Sequence, residues 1–396
     1  MTLNSKDSRS HRSRIAQNIE RLPKSGIREF FDLVSQVKDI ISLGVGEPDF
    51  VTPWTVREQA IYSLEHGRTS YTSNLGLISL RRAICDYVAS DYGVEYNPDN
   101  ECLITVGVSE ALDLAIRALI NPGDEVVYTE PCYVSYPAEV AMAHGVPVPI
   151  VTRFEDAFAL DPERLRAAIT PRTRVLMLNF PCNPTGATLT LEQMQKIAAI
   201  AVENDLMVIA DEIYSELTYG ERNVSIAALP GMKERTIFLH GFSKAFAMTG
   251  FRIGYACGPA DVINAMMKIH QYSMLCAPIT SQEAALEALQ NGRQEMERMR
   301  ESYCERRNIM VEGLNAAGLE CLLPNGAFYA FPRIAGTKLS SREFATGLLN
   351  SEKVAVVPGT AFGACGEGFV RCCYATRVED IRTAMERIAR FVEKIK

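Results

Sequence analysis

The stretch TRVLMLNFPCNPTGATLTLEQMQKIAAIAVENDLMVIADEIY, residues 173–214, decides the fold. It opens on an apolar run that ends in a proline–asparagine turn. LTLEQMQKIAAIAVEND then reads as a helix, and LMVIADEIY is a second short apolar run. Strand, crossover helix and strand of this composition imply a mostly parallel sheet covered on both faces, because strands buried on both sides are rich in Val, Ile and Leu throughout.

The alternation extends both ways. Upstream, ECLITVG (101–107), EVVYTEP (125–131) and VPVPIV (146–151) read as strands, followed by the helices VSEALDLAIRALI, YVSYPAEVAMAHG and DPERLRAAI. The first of these helices is expected to open with Ser109 at its N-cap and Glu110 just inside. Downstream, RTIFLHGFSK (235–244) is the next strand. Right-handed crossovers bring the C-terminal ends of such strands to one edge, where open α/β sheets bind ligands. The polar residues do fall at strand ends: Gly107 and Ser109, Tyr133, Asn183, Asp211 and Tyr214, then Ser243 and Lys244.

Beyond Pro259 the composition shifts to two helices, DVINAMMKIHQYSM and a long charged segment running through SQEAALEALQNGRQEMERMRESYCERRNIMVEGLNAAG. Strand, helix, two strands and an amphipathic helix close the chain. Ahead of the sheet, residues 15–37 read as an irregular arm and a short helix, and DIISLGVGEPDF as a strand ending in a turn. We therefore expect a large α/β domain over 50–290 and a smaller α+β domain from 1–49 and 291–396, a division suited to 396 residues.

A net charge of −7 argues against a general nucleic-acid binder. The eleven cysteines are scattered and never spaced C-x-x-C, as in a reducing cytoplasm, and the five histidines show no metal-ligand spacing. No apolar run reaches the roughly 18 residues of a membrane span. The opening MTLNSKDSRSHRSR reads as a disordered basic leader and the protein as cytoplasmic.

The segment GFSKAFAMTGFRIGY (241–255) sets Lys244 in apolar surroundings and Arg252 shortly after it. Desolvation favours a neutral, nucleophilic amine, and the guanidinium fork suits a phosphate. A carbonyl and a phosphate on one small molecule describe pyridoxal 5'-phosphate. That cofactor needs a lysine for its aldehyde, here Lys244, and a carboxylate to keep its ring nitrogen protonated, for which Asp211 is placed. A strand-end aspartate is ordinarily a turn residue; its coincidence with Lys244 on the next strand reverses that reading. Asn183 and Tyr214 can serve the phenolic oxygen, and Tyr133 the ring face. The amides of Val108, Ser109 and Glu110, with Ser243 and Arg252, can serve the phosphate. Arg371, alone among apolar residues in GFVRCCYA, suits a substrate carboxylate.

With LGVGEPDF, TSYTSNLGLISLR, TVGVSEALDLA, PCNPTG, ADEIYSEL, GFSKAFAMTGFRIGY, GAFYAFP, VVPGTAFG and FVRCCYA in this order, the chain resembles the class I and II aminotransferases, pyridoxal-phosphate enzymes of fold type I. The likeness is greatest to the bacterial and archaeal aspartate and aromatic subgroup. The resemblance implies that Lys244 forms the Schiff base and moves a proton, that Asp211 partners the ring nitrogen, and that Asn183 and Tyr214 contact the phenolate. It also implies phosphate binding by Ser109, Ser243 and Arg252, ring stacking by Tyr133, and α-carboxylate binding by Arg371 with the backbone of Gly46. Tyr71 matches a tyrosine that reaches the phosphate of a neighbouring subunit, which implies a homodimer with shared sites. Val108 departs from the small residue of many relatives, and Cys372 and Cys373 from a hydroxyl residue and an aromatic.

The activity so implied is ping-pong transfer of an amino group from an L-amino acid, aspartate or aromatic, to a 2-oxo acid such as 2-oxoglutarate. A β-lyase on the same fold is the alternative. A cofactor-binding regulator would need an added DNA-binding module, and a Rossmann protein a G-x-G-x-x-G that is missing after the first strand. For the side-chain subsite, Arg28 and Lys24 offer charge and Ile27 and Phe30 an apolar wall.

Overall fold

The computed structural model describes residues 14–24, 26–35 and 37–395, so all of the basic leader except Arg14 lies outside the described residues. Twelve strands are assigned among them: β1 Ile41–Ser42, β2 Cys102–Thr105, β3 Glu125–Glu130, β4 Val146–Val151, β5 Thr173–Leu178, β6 Met207–Asp211, β7 Thr236–Gly241, β8 Gly254–Cys257, β9 Tyr329–Ala330, β10 Val354–Ala355, β11 Val357–Pro358 and β12 Val370–Cys373. Seven of them form the main sheet in the order β2-β8-β7-β6-β5-β3-β4. Successive residues feed opposite faces: Leu176, Leu178, Val208 and Ala210 enter one core, while Val175, Met177 and Ile209 enter the other. This two-sided burial is why the strands show no polar alternation. The exception is β4, VPVPIV, which pairs only with β3 and is largely exposed. Pro147 and Pro149 cannot donate to a ladder and so suit an edge.

Three elements differ from the sequence reading. GYAC was not recognised as a strand, yet β8 lies antiparallel between β7 and β2 in an otherwise parallel sheet. Four residues directly after a glycine-rich loop carry too short a pattern to stand out. The helix after β2 spans Gly107–Leu119 with Val106 at the N-cap, so Ser109 is in its first turn and does not cap it. The long charged helix is two, Ile279–Asn291 and Arg293–Ala316, broken at Gly292. A Cβ on Gly292 would lie 2.6 Å from the Ala288 carbonyl oxygen and 3.1 Å from the Phe246 ring, so close packing there requires glycine.

The C-terminal part builds a second, smaller layer. β11, β12 and β9 form an antiparallel sheet, and the Val354–Pro358 run divides between it and a two-stranded parallel pair, Ile41 opposite Val354 and Ser42 opposite Ala355. Helices Ser341–Glu352 and Val378–Ile395 pack over it, with Phe344 and Phe391 in edge contact at 5.3 Å. The arm contributes short helices at Gln17–Glu20 and Gly26–Val34, the second burying Phe30 and Val34. No helix among the described residues is long and apolar enough to cross a membrane.

Candidate active site

A cavity of about 390 Å³ opens at the C-terminal edge of the main sheet, below the small layer. Crossover geometry delivers to it the first turn after β2, the segments after β3 and β5, the end of β6 and the turn after β7. Because β8 runs against its neighbours, its start lies at this same edge and brings Arg252 with it. Arg371 arrives from β12 on the small layer. Lys244, Asp211, Asn183, Tyr214, Tyr133, Val108, Ser109, Ser243, Arg252, Arg371 and Gly46 all line the cavity. Glu110 and Tyr71 do not: the Glu110 carboxylate accepts from the Val106 N–H, and Tyr71 is 83% exposed.

The Lys244 Nζ donates to the carbonyl of Gly46 at 2.8 Å and lies 5.7 Å from the Phe328 ring centroid. Burial brings its amine down to about 8, and the charges of Arg371 and Arg252 push the same way. Asp211, buried at the end of β6, is pushed up to about 6 by desolvation, against the hydrogen bonds from the Tyr136 hydroxyl at 2.7 Å and the Ile213 N–H at 3.2 Å. Asn179 locks the neighbouring backbone: its amide donates to the Asp211 carbonyl at 2.9 Å, and its oxygen accepts from the Asn183 N–H at 3.0 Å.

The Tyr214 and Tyr329 hydroxyls share a hydrogen bond at 2.9 Å, and burial pushes both phenols up. A Cβ on Gly46 would stand 2.5 Å from the Tyr329 oxygen, so only glycine permits this approach. Arg371 is 3% exposed, its guanidinium 4.4 Å from the Tyr329 ring centroid and 4.7 Å from that of Phe362. It donates to Asn183 Oδ1 at 2.9 Å and to the Gly44 carbonyl at 2.8 Å, while Nε has no partner among the described residues. Arg252 has φ of 50° and donates to the Thr249 carbonyl at 3.0 Å.

The sequence reading missed Tyr136, Asn179 and Tyr329, which line the cavity and hydrogen-bond the named residues. Tyr136 and Asn179 also follow strand ends, a usable signal; Tyr329 comes from the small layer, inside the GAFYAFP motif, which was read for the resemblance and not for a site role. Of the arm residues, Ile27 lines the cavity, whereas Lys24 and Arg28 do not. Cys372 and Cys373 are buried on β12 outside the lining, the latter thiol pushed up to about 11 by burial. Among the described residues no group of His, Cys, Asp and Glu is arranged to hold a metal ion.

The residues present fit pyridoxal phosphate. A poised amine, a buried carboxylate, a guanidinium beside a helix N-terminus and a second guanidinium with an unused N–H share one cavity of small-molecule size.

The family model described as aminotransferase class I and II matches residues 38–388. The chain is 52% identical to the Bacillus subtilis protein YugH over 96% of this chain and 99% of that one. It is 42% identical to aromatic-amino-acid aminotransferase 2 of Thermococcus litoralis, again over 96% and 99%. Its fold matches the aspartate aminotransferase of Thermus thermophilus solved with maleate, at a TM-score of 0.91, 40% identity and coverage of 96% and 100%.

Proposed function

Since the chain belongs to the class I and II aminotransferases, a pyridoxal-phosphate-dependent family, we propose that it takes the amino group of L-aspartate or an aromatic L-amino acid and passes it to a 2-oxo acid such as 2-oxoglutarate by a ping-pong route. The observation that carries this reading is the convergence of Lys244, Asp211, Arg252 and Arg371 on one cavity. When bound, pyridoxal phosphate supplies an electrophilic carbonyl and an electron-accepting ring.

In this reading Lys244 anchors the cofactor and later moves a proton at the substrate Cα, a task suited to an amine near 8. Asp211, oriented by the Tyr136 hydroxyl and the Ile213 N–H, would stabilise the protonated ring nitrogen as a carboxylate. Asn183 and Tyr214 address the phenolic oxygen. The amides of Val108 and Ser109, with Ser243 and Arg252, would hold the phosphate. Tyr133 would cover the ring, and Arg371 with the Gly46 backbone would orient the substrate carboxylate.

The same reading makes the protein a cytoplasmic homodimer in which Tyr71 serves the neighbouring subunit's phosphate. Exposed Tyr71, Tyr272, Met274 and Leu275, and the bond from Asn74 Nδ2 to the Leu275 carbonyl at 2.7 Å, support such a face. It also divides the chain into a large domain over 50–290 and a small one from 1–49 and 291–396, which the pairing of Ile41 with Val354 supports. A panel of amino donors with 2-oxoglutarate tests the activity: glutamate and the donor's oxo acid should form in equal amounts. Ammonia and pyruvate from cystathionine without an acceptor would instead establish the β-lyase.

A further inference from the structure

We propose that Glu110 and the buried His270 are a positioning pair that holds the turn 106–109 from behind and thereby sets the affinity for the phosphate of the cofactor. The inference rests on reading that turn as the phosphate cradle.

The turn needs outside support. Val106 has no side chain able to cap the helix Gly107–Leu119, and Gly107 sits at φ of 77°, where an L side chain is strained. Its cavity side is crowded: a Cβ on Gly107 would lie 2.8 Å from Arg252 Nη2, and one on Gly254 2.7 Å from the Val108 nitrogen. Two side chains hold it from within the protein: Thr105 Oγ1 donates to the Gly107 carbonyl at 3.0 Å, and the Glu110 carboxylate engages the other end of the turn. One oxygen accepts from the Val106 N–H at 2.6 Å, and the other faces His270 Nδ1 at 2.7 Å.

His270 lies on the helix Ala260–Ser273 and is fully buried. A carboxylate oxygen cannot donate, so Nδ1 carries the proton and donates to Glu110. The other ring nitrogen, Nε2, has no hydrogen-bond partner among the described residues. Leaving a buried nitrogen unpaired is unfavourable. The ring's hydrogen bond among the described residues is the one that fixes Glu110. With both oxygens engaged and the carboxylate absent from the cavity lining, Glu110 anchors the turn without facing a bound phosphate. Placement matters because a misalignment of about 1 Å at a binding group can cost on the order of a hundredfold.

The test compares pyridoxal phosphate with pyridoxal, which shares the aldehyde and ring but lacks the phosphate, by titrating each into the full-length chain. His270→Leu is expected to weaken pyridoxal phosphate by about tenfold while changing pyridoxal less than twofold. His270→Asn, whose amide can donate from the place of Nδ1, should stay within about threefold of the parent for both. If His270→Leu does not fold, Glu110→Gln, which keeps only one of the two acceptors, carries the same comparison. Arg252→Leu is the control for the cradle. A phosphate-selective loss in Arg252→Leu but not in the pair variants would overturn the positioning role alone. Selective loss in none of them would overturn the cradle reading and the proposal with it. Equal loss for both ligands in His270→Leu would mark general damage and also overturn it.

Discussion

Arg371→Lys isolates the fork that orients the substrate. In the parent, Nη1 and Nη2 each give one hydrogen to Asn183 and the Gly44 carbonyl, which leaves Nε–H and one hydrogen on each terminal nitrogen for a bound carboxylate. A lysine ammonium has three hydrogens at one point and cannot present two parallel donors. If it keeps Asn183 and Gly44 satisfied, one bond remains for the substrate. The loss of one charge-assisted hydrogen bond is worth about 1.5–3 kcal/mol. That corresponds to roughly 10- to 150-fold in kcat/KM. The loss should be similar for the amino donor and for the 2-oxo acid, because both present the same α-carboxylate, and pyridoxal phosphate binding should be unchanged. Steady-state kinetics of both directions, beside a cofactor titration and a melting curve, measure all three. A kcat/KM within threefold of the parent, or a loss falling on cofactor affinity, would refute the assignment.

Other consequences follow from the same geometry. Capture of pyridoxal phosphate by cofactor-free protein needs the neutral amine of Lys244, so its rate should climb about tenfold per pH unit below about 8 and level off above; a flat profile from pH 6 to 9 would contradict this. Asp211 holds its proton more tightly folded, at about 6, than unfolded, at 3.8. The cofactor-free protein should therefore lose stability, on the order of 3 kcal/mol, as pH rises through that window. Asp211→Asn should remove this dependence in denaturant melts. Gly107→Ala forces a Cβ to within 2.8 Å of Arg252 Nη2 at φ of 77°, and should cost about 1 kcal/mol of stability and weaken cofactor binding. Lys244→Ala should reduce transamination by roughly a thousandfold or more while the chain still folds.

The sequence by itself determined which residues carry chemistry and along which edge they gather. Apolar runs, helix periodicity and strand-end position are local, and right-handed crossovers turn that local order into a spatial one without further information. Hence Lys244, Asp211, Asn183 and Tyr133 are legible from strands β3, β5, β6 and β7 alone. Only the tertiary structure decided what stands beside them. The reversal of β8 places Arg252 at the edge, and that depends on β8 entering between β7 and β2, the latter a partner distant in the chain. The Tyr136 bond to Asp211, the Tyr329 approach to Gly46 and the turning of Glu110 toward His270 join residues 75, 283 and 160 positions apart. Side chains that act through another residue leave no periodic trace; they become visible when packing brings a donor within hydrogen-bond reach of an acceptor.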